Sequence, residues 1–286
     1  MANWLAIVWI ALSMTGWTEQ NRMRFVIGVT LLGPNTSCKD GPVFIGGITP
    51  QSPAASAGLE LGDELLAING DAVRSFGDAS SRIVSNVPEA VSLTIRRSQS
   101  VKTISVQREK SELVWSRVGL RFLDGGFLVG TDYSDTEIAE IRRLNAELDE
   151  AVGRKDFVNI FPSHYPADKS LYYPGFELFV WNDGQKVYVG GIEEGPAKES
   201  GVRWGDRIIS VNGQDPRGKS AKELEGLFSS SRRSAMQLRI ERAGIQKSFT
   251  FPLVRAADVL KANHWRIADG KMVPDWVPDE LISCFD

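Results

Sequence analysis

Short apolar runs broken by Gly, Pro, Asn and Asp fill most of this chain, and their lengths are those of strands. Residues 25–32 (FVIGVTLL) are β-branched and apolar and predict one strand. Residues 33–42 are turn chemistry throughout, and 43–48 predict the next strand. Pro53 to Ala57 predicts a one-turn helix stopped by Gly58, whose lack of a Cβ suits a left-handed cap. A strand over 64–68 closes on the turn dipeptide Asn69-Gly70. A helix follows at about 77–84, then strands at 91–96 and 101–106. The same order returns later: strands at 176–181 and 187–192 around the turn Asn182-Asp183-Gly184, a short helix at 196–200 and a strand at 207–211. A helix at 221–229 and strands at 236–241 and 246–251 complete it.

The residues between these two series carry patterns of their own. Leu120, Phe122, Phe127 and Val129 flank Asp124-Gly125 as a hairpin would. Ser134-x-x-Glu137 is a capping box, and it opens a helix with Ile138, Ile141, Leu144, Leu148 and Val152 on one stripe. A solvated linker has no use for such a stripe, nor for Phe157, Phe161, Tyr165, Tyr172 and Tyr173 beyond it. The segment 256–286, with Trp265, Val273, Trp276, Val277, Leu281 and Phe285, also predicts packing against the body. Both stretches are expected to hold one domain relative to the other.

The two series are a repeat at residue level. Gly46-Gly47-Ile48, Ser52-Pro53-Ala54, Ala57-Gly58-Leu59, Gly62-Asp63 and Ile68-Asn69-Gly70 return as Gly190-Gly191-Ile192, Gly195-Pro196-Ala197, Ser200-Gly201-Val202, Gly205-Asp206 and Val211-Asn212-Gly213. From Pro53/Pro196 to Gly70/Gly213 the offset is a constant 143 residues. This order resembles the PDZ domain in its bacterial form. The resemblance implies an α+β, β-rich fold: two PDZ-like partly open β-barrels or sandwiches with small helices, joined by a hairpin-plus-helix connector. The implied boundaries are 1–21 for an apolar N-terminal segment, 22–108 for the first domain, 109–167 for the connector, 168–254 for the second domain and 255–286 for a C-terminal packing segment. The motif glycines, Asp63 and Asp206 sit at turns and are read as holding the backbone.

What the resemblance implies about function is capture of a protein C-terminus or an extended peptide as an added strand beside a helix. A loop ahead of the receiving strand would hold the terminal carboxylate on backbone N–H groups, where glycine lets those groups converge. By position that loop and strand are Val26, Ile27, Gly28, Val29 and Leu31 in the first copy. In the second they are Tyr173, Pro174, Gly175, Phe176 and Leu178. Pro174 has no N–H to donate, which makes the first domain the better expected binder of chain ends. Arg22 and Arg24 flank the first loop. Along the groove helix, Phe76, Ser80 and Ile83 share one face in the first copy, as do Ser220, Leu224 and Leu227 in the second. The same positions fit a core-facing stripe, because the two stripes adjoin.

Composition narrows the alternatives. A net charge of −3 gives no support to nucleic-acid binding. The two histidines, His164 and His264, have no partners at metal-ligand spacing, and no nucleophile-elbow, serine-protease or aspartic-protease motif is present. The expectation is a non-enzyme without cofactor or metal, acting as scaffold or adaptor. The alternatives are a partner of a cell-envelope protease and a structural protein whose grooves are filled by its own connector and C-terminal segment. Residues 4–17 are apolar and uncharged, short for a membrane span and suited to the apolar region of a secretory signal. An element packed on the first domain is the alternative reading. Any membrane association would run through them, and they favour an extracytoplasmic location over a cytoplasmic one. Cys38 and Cys284 have no metal-type spacing and are expected as unpaired thiols, a long-range disulfide being the alternative.

Overall fold

A computed structural model describes residues 24–33, 41–122, 128–160, 168–182, 184–262, 264–268 and 271–284. They form two compact units: residues up to Asp132 with the segment 263–286, and Tyr133–Ala262. The expected signal segment 4–17, Arg22, Cys38 and His164 lie outside the described residues. Among the described residues no helix is long and apolar enough to cross a membrane.

In the first unit the run 25–32 is two strands, β1 (Phe25–Val26) and β2 (Val29–Leu32). Its composition predicts one strand, but Gly28 at φ +81° turns the chain out of extended conformation between them. There follow β3 (Phe44–Ile48), α1 (Pro53–Ser56), β4 (Glu64–Ile68), β5 (Asp71–Ala72), α2 (Phe76–Ile83), β6 (Val91–Arg97) and β7 (Ser100–Val106). Ser52 caps α1 by accepting the Ala55 N–H, and Pro53 supplies the preset φ of a first helical residue. Asn69 and Gly70 both have positive φ (53° and 87°), the condition for the tight turn that pairs β4 with β5. The sheet runs β2-β3-β4-β6-β7, with β5 on β4. Its core joins Ile27, Val43, Leu65, Ile68, Leu93 and Ile95 to Ala79 and Ile83 of α2. Beyond residue 108, β8 (Glu109–Lys110) pairs with β1, α3 (Ser111–Ser116) follows, and β9 (Leu120–Phe122) pairs with β10 (Leu128–Gly130) as the expected hairpin.

The second unit opens with α4 (Asp135–Gly153), whose capping box at Ser134 and Glu137 is formed in both directions. Ile138, Ile141, Leu144 and Leu148 are buried along it, but Val152 is 53% exposed and Ala151 takes the inward place instead. Next come β11 (Phe157–Ile160), β12 (Tyr172–Tyr173), β13 (Phe176–Trp181), β14 (Lys186–Ile192), α5 (Pro196–Glu199) and β15 (Arg207–Val211). Then α6 (Ala221–Phe228), β16 (Ala235–Arg242), β17 (Ile245–Pro252), β18 (Val254–Arg255) and α7 (Ala256–Ala262) complete it. The sheet order is β11-β13-β14-β15-β16-β17, while β12 pairs with β18 much as β1 pairs with β8. One sheet face packs on α6 through Leu178, Val189, Ile240, Leu224 and Phe228. The other is covered by α4, where Leu144, Leu148 and Ala151 meet Phe179, Trp181 and Tyr188. The Trp181 and Tyr188 rings stack with centroids 5.0 Å apart.

Both aspartates of the repeat do serve the backbone, each with an arginine that the repeat motif does not include. Arg97 Nε and Nη2 each reach Asp63 at 2.7 Å, and Nη2 also donates to the Gly58 carbonyl at 2.8 Å. Arg242 repeats this on Asp206 (2.6 and 2.7 Å) and on the Gly201 carbonyl (2.7 Å). A forked guanidinium on a buried carboxylate thus ties the last long hairpin to the Gly-Asp turn in each copy.

The segment 263–286 belongs to the first unit. A hairpin of Trp265–Ala268 with Lys271–Pro274 leads to Trp276, whose ring centroid lies 5.4 Å from that of Phe44. Cys284 is buried and disulfide-bonded, so the expectation of unpaired thiols fails at this residue. The class is sheet-rich α+β as expected, and each main sheet is an open ladder of strands rather than a closed barrel.

Candidate functional site: two strand–helix grooves

The first groove lies between β2 and α2. Ile27 is fully buried, and its carbonyl accepts the Ala54 N–H at 2.9 Å. The Gly28 carbonyl accepts the Thr49 N–H at 2.8 Å and the Ser52 hydroxyl at 3.4 Å. In a trans peptide each N–H points opposite to the carbonyl before it, and no cis bond occurs here. The Gly28 and Val29 N–H groups therefore turn away from Ala54 and Thr49. Gly28 also carries the packing, for a Cβ there would stand 2.3 Å from the Ser52 Cβ. Arg24 is half-buried just before β1.

Val26, Val29 and Leu31 are half-buried, and the last two pack on the same core as α2. Ser75 caps α2, so Phe76 is its first residue. Phe76 is 44% exposed and its ring lies against Gly33, where a Cβ would meet it at 2.7 Å. Ser80 is exposed and Ile83 belongs to the core. Phe76 and Ser80 thus line an open rim. Among the described residues no strand pairs with the outer edge of β2.

The second groove, between β13 and α6, has the same frame and a different content. Gly175 has φ +81°, as Gly28 has, and its carbonyl accepts the Glu193 N–H at 2.8 Å, matching Thr49 on Gly28. Tyr173, Pro174, Gly175, Phe176 and Leu178 are all buried. On α6, Ser220 is the exposed capping residue, Leu224 is fully buried and Leu227 packs at the edge of the core. The outer edge of β13 is already paired: β11 runs antiparallel to it with Phe157 opposite Trp181, Val158 opposite Val180, Asn159 opposite Phe179 and Ile160 opposite Leu178. Ile160 is 3% exposed and shares the core with Leu178, Leu224 and Phe228. Counted from the caps Ser75 and Ser220, Leu224 and Phe228 stand where the first domain has Ala79 and Ile83, all four buried, while Ser80 and Glu225 are both exposed. Of the two segments considered as groove fillers, the connector supplies β11 on the β13 edge, and the C-terminal segment packs on Phe44 and Leu32, on the face of β2 turned away from α2.

Side-chain chemistry separates the grooves further. At the positions of Thr30 and Thr49 the second copy carries Glu177 and Glu193, both buried. Glu177 Oε2 accepts the Gly191 N–H at 3.3 Å and the Asn159 side-chain amide at 3.4 Å. Burial, and next the charge of Glu177, push the Glu193 carboxyl up to about 8. Aligning the two copies position by position exposes this Thr-to-Glu exchange, a signal that the glycine motif alone passes over.

A family model agrees with the two-copy organisation. The PDZ-domain family model matches residues 44–97 and again 187–242. A probable periplasmic serine protease do/HhoA-like from Haemophilus influenzae is 32% identical over 114 residues, 38% of this chain and 24% of that protein. The carboxy-terminal processing protease CtpB of Bacillus subtilis is 30% identical over 74 residues, 26% of this chain and 15% of that protein. Zinc metalloprotease RasP of Geobacillus kaustophilus is 31% identical over 81 residues, 28% of this chain and 19% of that protein. The chain thus spans a quarter or less of the length of these relatives. Among solved structures, the HtrA3 PDZ domain bound to a phage-derived ligand aligns over 30% of this chain and 85% of its own, at 19% identity and a TM-score of 0.26.

Proposed function

From the premise that this is a tandem-PDZ protein, we propose that it is a binding protein whose first domain captures the free C-terminal ends of partner proteins as a strand added to β2. The observation that carries this is the first groove itself: an unpaired β2 edge among the described residues, an uncharged loop with two outward N–H groups, and an open rim at Phe76 and Ser80. Phe76 at the helix start favours ligands with an apolar side chain two residues before the end. The reading gives the chain no chemistry of its own; its scaffold or adaptor role is to hold a partner. Presentation of substrates to a cell-envelope protease is the second reading, supported by the names of the relatives it matches. A cell-envelope location is supported by the periplasmic relative and by the bonded Cys284, since disulfides persist in oxidising compartments.

Titration of the full chain with apolar-ended peptides, as free acids and as amides, tests the reading. A short added strand loses its own chain entropy, so the free acid should bind at about micromolar Kd, or about −8 kcal/mol. Amidation should weaken it by about tenfold, with the contacts mapped to β2 and α2. Undetectable binding at millimolar peptide, or equal binding by the amide, overturns it.

A further inference from the structure

We propose that Phe157–Ile160 is a resident ligand of the second PDZ groove, and that this groove reads internal extended segments rather than chain ends. Four observations converge on it. β11 occupies the β13 edge, antiparallel, and runs toward the Gly175 loop. Residues alternate along a strand, so Val158 and Ile160 share the face of Leu178 and Val180, toward α6, while Phe157 and Asn159 face the other side. Phe157 there meets Phe179 edge-on at 5.3 Å. Ile160 fills the apolar space beside Leu224 and Phe228, and Leu224 is the larger side chain at the position where the first domain has Ala79.

The third observation is covalent. The chain continues past Ile160, so what sits in this groove ends in a peptide bond and brings no carboxylate with it. The fourth is the loop. Pro174 removes one N–H, and the buried carboxyl groups of Glu177 and Glu193 flank Gly175, whereas the first domain has threonines there. A loop short of one N–H donor holds a terminal carboxylate poorly; an internal segment does not need that donor. Asn159 adds a specific contact, donating its side-chain amide to Glu177. The partner that fits is therefore an extended stretch with apolar side chains at alternate positions toward α6 and an amide donor between them. Tethering gives β11 an effective concentration of about millimolar, so an external strand enters only by displacing it.

The test uses the full chain and a synthetic peptide of residues 156–161, Asp-Phe-Val-Asn-Ile-Phe, as C-terminal amide and as free acid. Binding is read by hydrogen exchange at Phe176–Trp181 and Ala221–Phe228, which separates it from events in the first groove. In the double variant Val158→Pro/Asn159→Pro, one of the two prolines must remove an N–H facing β13, because these alternate along the strand. The amide should protect β13 in this variant at a concentration at least about tenfold below that needed in the unsubstituted chain. The free acid should bind at least about tenfold more weakly than the amide. In the unsubstituted chain, millimolar amide should speed exchange of the Phe157–Ile160 amides while β13 stays protected, a readout that survives if the double variant does not fold. Equal or tighter binding of the free acid overturns the assignment. So does unchanged exchange at Phe157–Ile160 under millimolar amide, which would make β11 a fixed strand of the sheet.

Discussion

Glu193→Gln replaces a buried carboxyl by a neutral side chain of nearly the same shape, and its effect on stability should depend on pH in a defined direction. The Glu193 carboxyl titrates near 8 in the folded chain, against an ordinary 4.5. Burial is the first cause, Glu177 and Glu194 add to it, and Lys198 opposes it. The folded state therefore keeps a proton that the unfolded chain has released, and stability falls as pH rises from about 4.5 to about 8. Each pH unit inside that window costs about 1.4 kcal/mol, so about 3 kcal/mol is lost between pH 5 and pH 7. The Gln variant has no such slope. Urea unfolding of both proteins at pH 5, 6, 7 and 8, followed by hydrogen exchange within β13 and β14, isolates the second unit. The stability difference, variant minus unsubstituted, should be smallest at pH 5 and grow by about 1.4 kcal/mol per unit toward pH 8. A difference that stays flat across this range refutes the reasoning, because burial of an ionisable group at this position would then have no consequence.

Two further outcomes follow from the same geometry. Arg242→Ala leaves Asp206 buried without its guanidinium, and should cost about 3 kcal/mol in thermal unfolding of the second unit, with Arg242→Lys recovering only part. Thr30→Glu places a carboxylate in the first groove where the second has Glu177, and should weaken a free-acid peptide by about tenfold while sparing its amide; calorimetric titration of both ligands checks it.

Much of this fold is legible in the sequence because turns carry their own chemistry. Asn69-Gly70 and Asn212-Gly213 mark the same turn in both copies, and the apolar runs between such turns are strands. The break at Ile27 and Gly28 was hidden, since an apolar run shows no interruption where a glycine changes the sign of φ. Val152 continues the helical spacing of α4 but falls at the last turn, where Ala151 already faces the sheet. β11 was illegible as a strand for a different reason. Four residues are too few for a period, and what fixes Phe157–Ile160 is the edge it meets, far along the chain. The run FELFVW had the complementary signal: a strand without polar alternation is one covered on both faces, as β13 is. Of the candidate groove positions, the structure exposes Phe76 and Ser80 and buries Ile83, Leu224 and the whole of the second loop; counted from the caps Ser75 and Ser220, the buried helix positions coincide, Ala79 and Ile83 matching Leu224 and Phe228. The arginines on Asp63 and Asp206 have no periodic signature at all; only geometry pairs them.

The unequal way in which the chain is shared between its two units has a consequence for the order of folding. The second unit is one uninterrupted stretch, Tyr133–Ala262, and has every strand it needs once that stretch exists. The first unit is not complete until the segment bearing Trp276 and Val277 has been made, because these side chains cover Phe44 and Leu32. During synthesis, then, the second unit can finish while the first still shows apolar surface on β3 and waits for its last piece. Contacts of such long sequence separation form slowly, so the late step of refolding belongs to the unit whose residues come first.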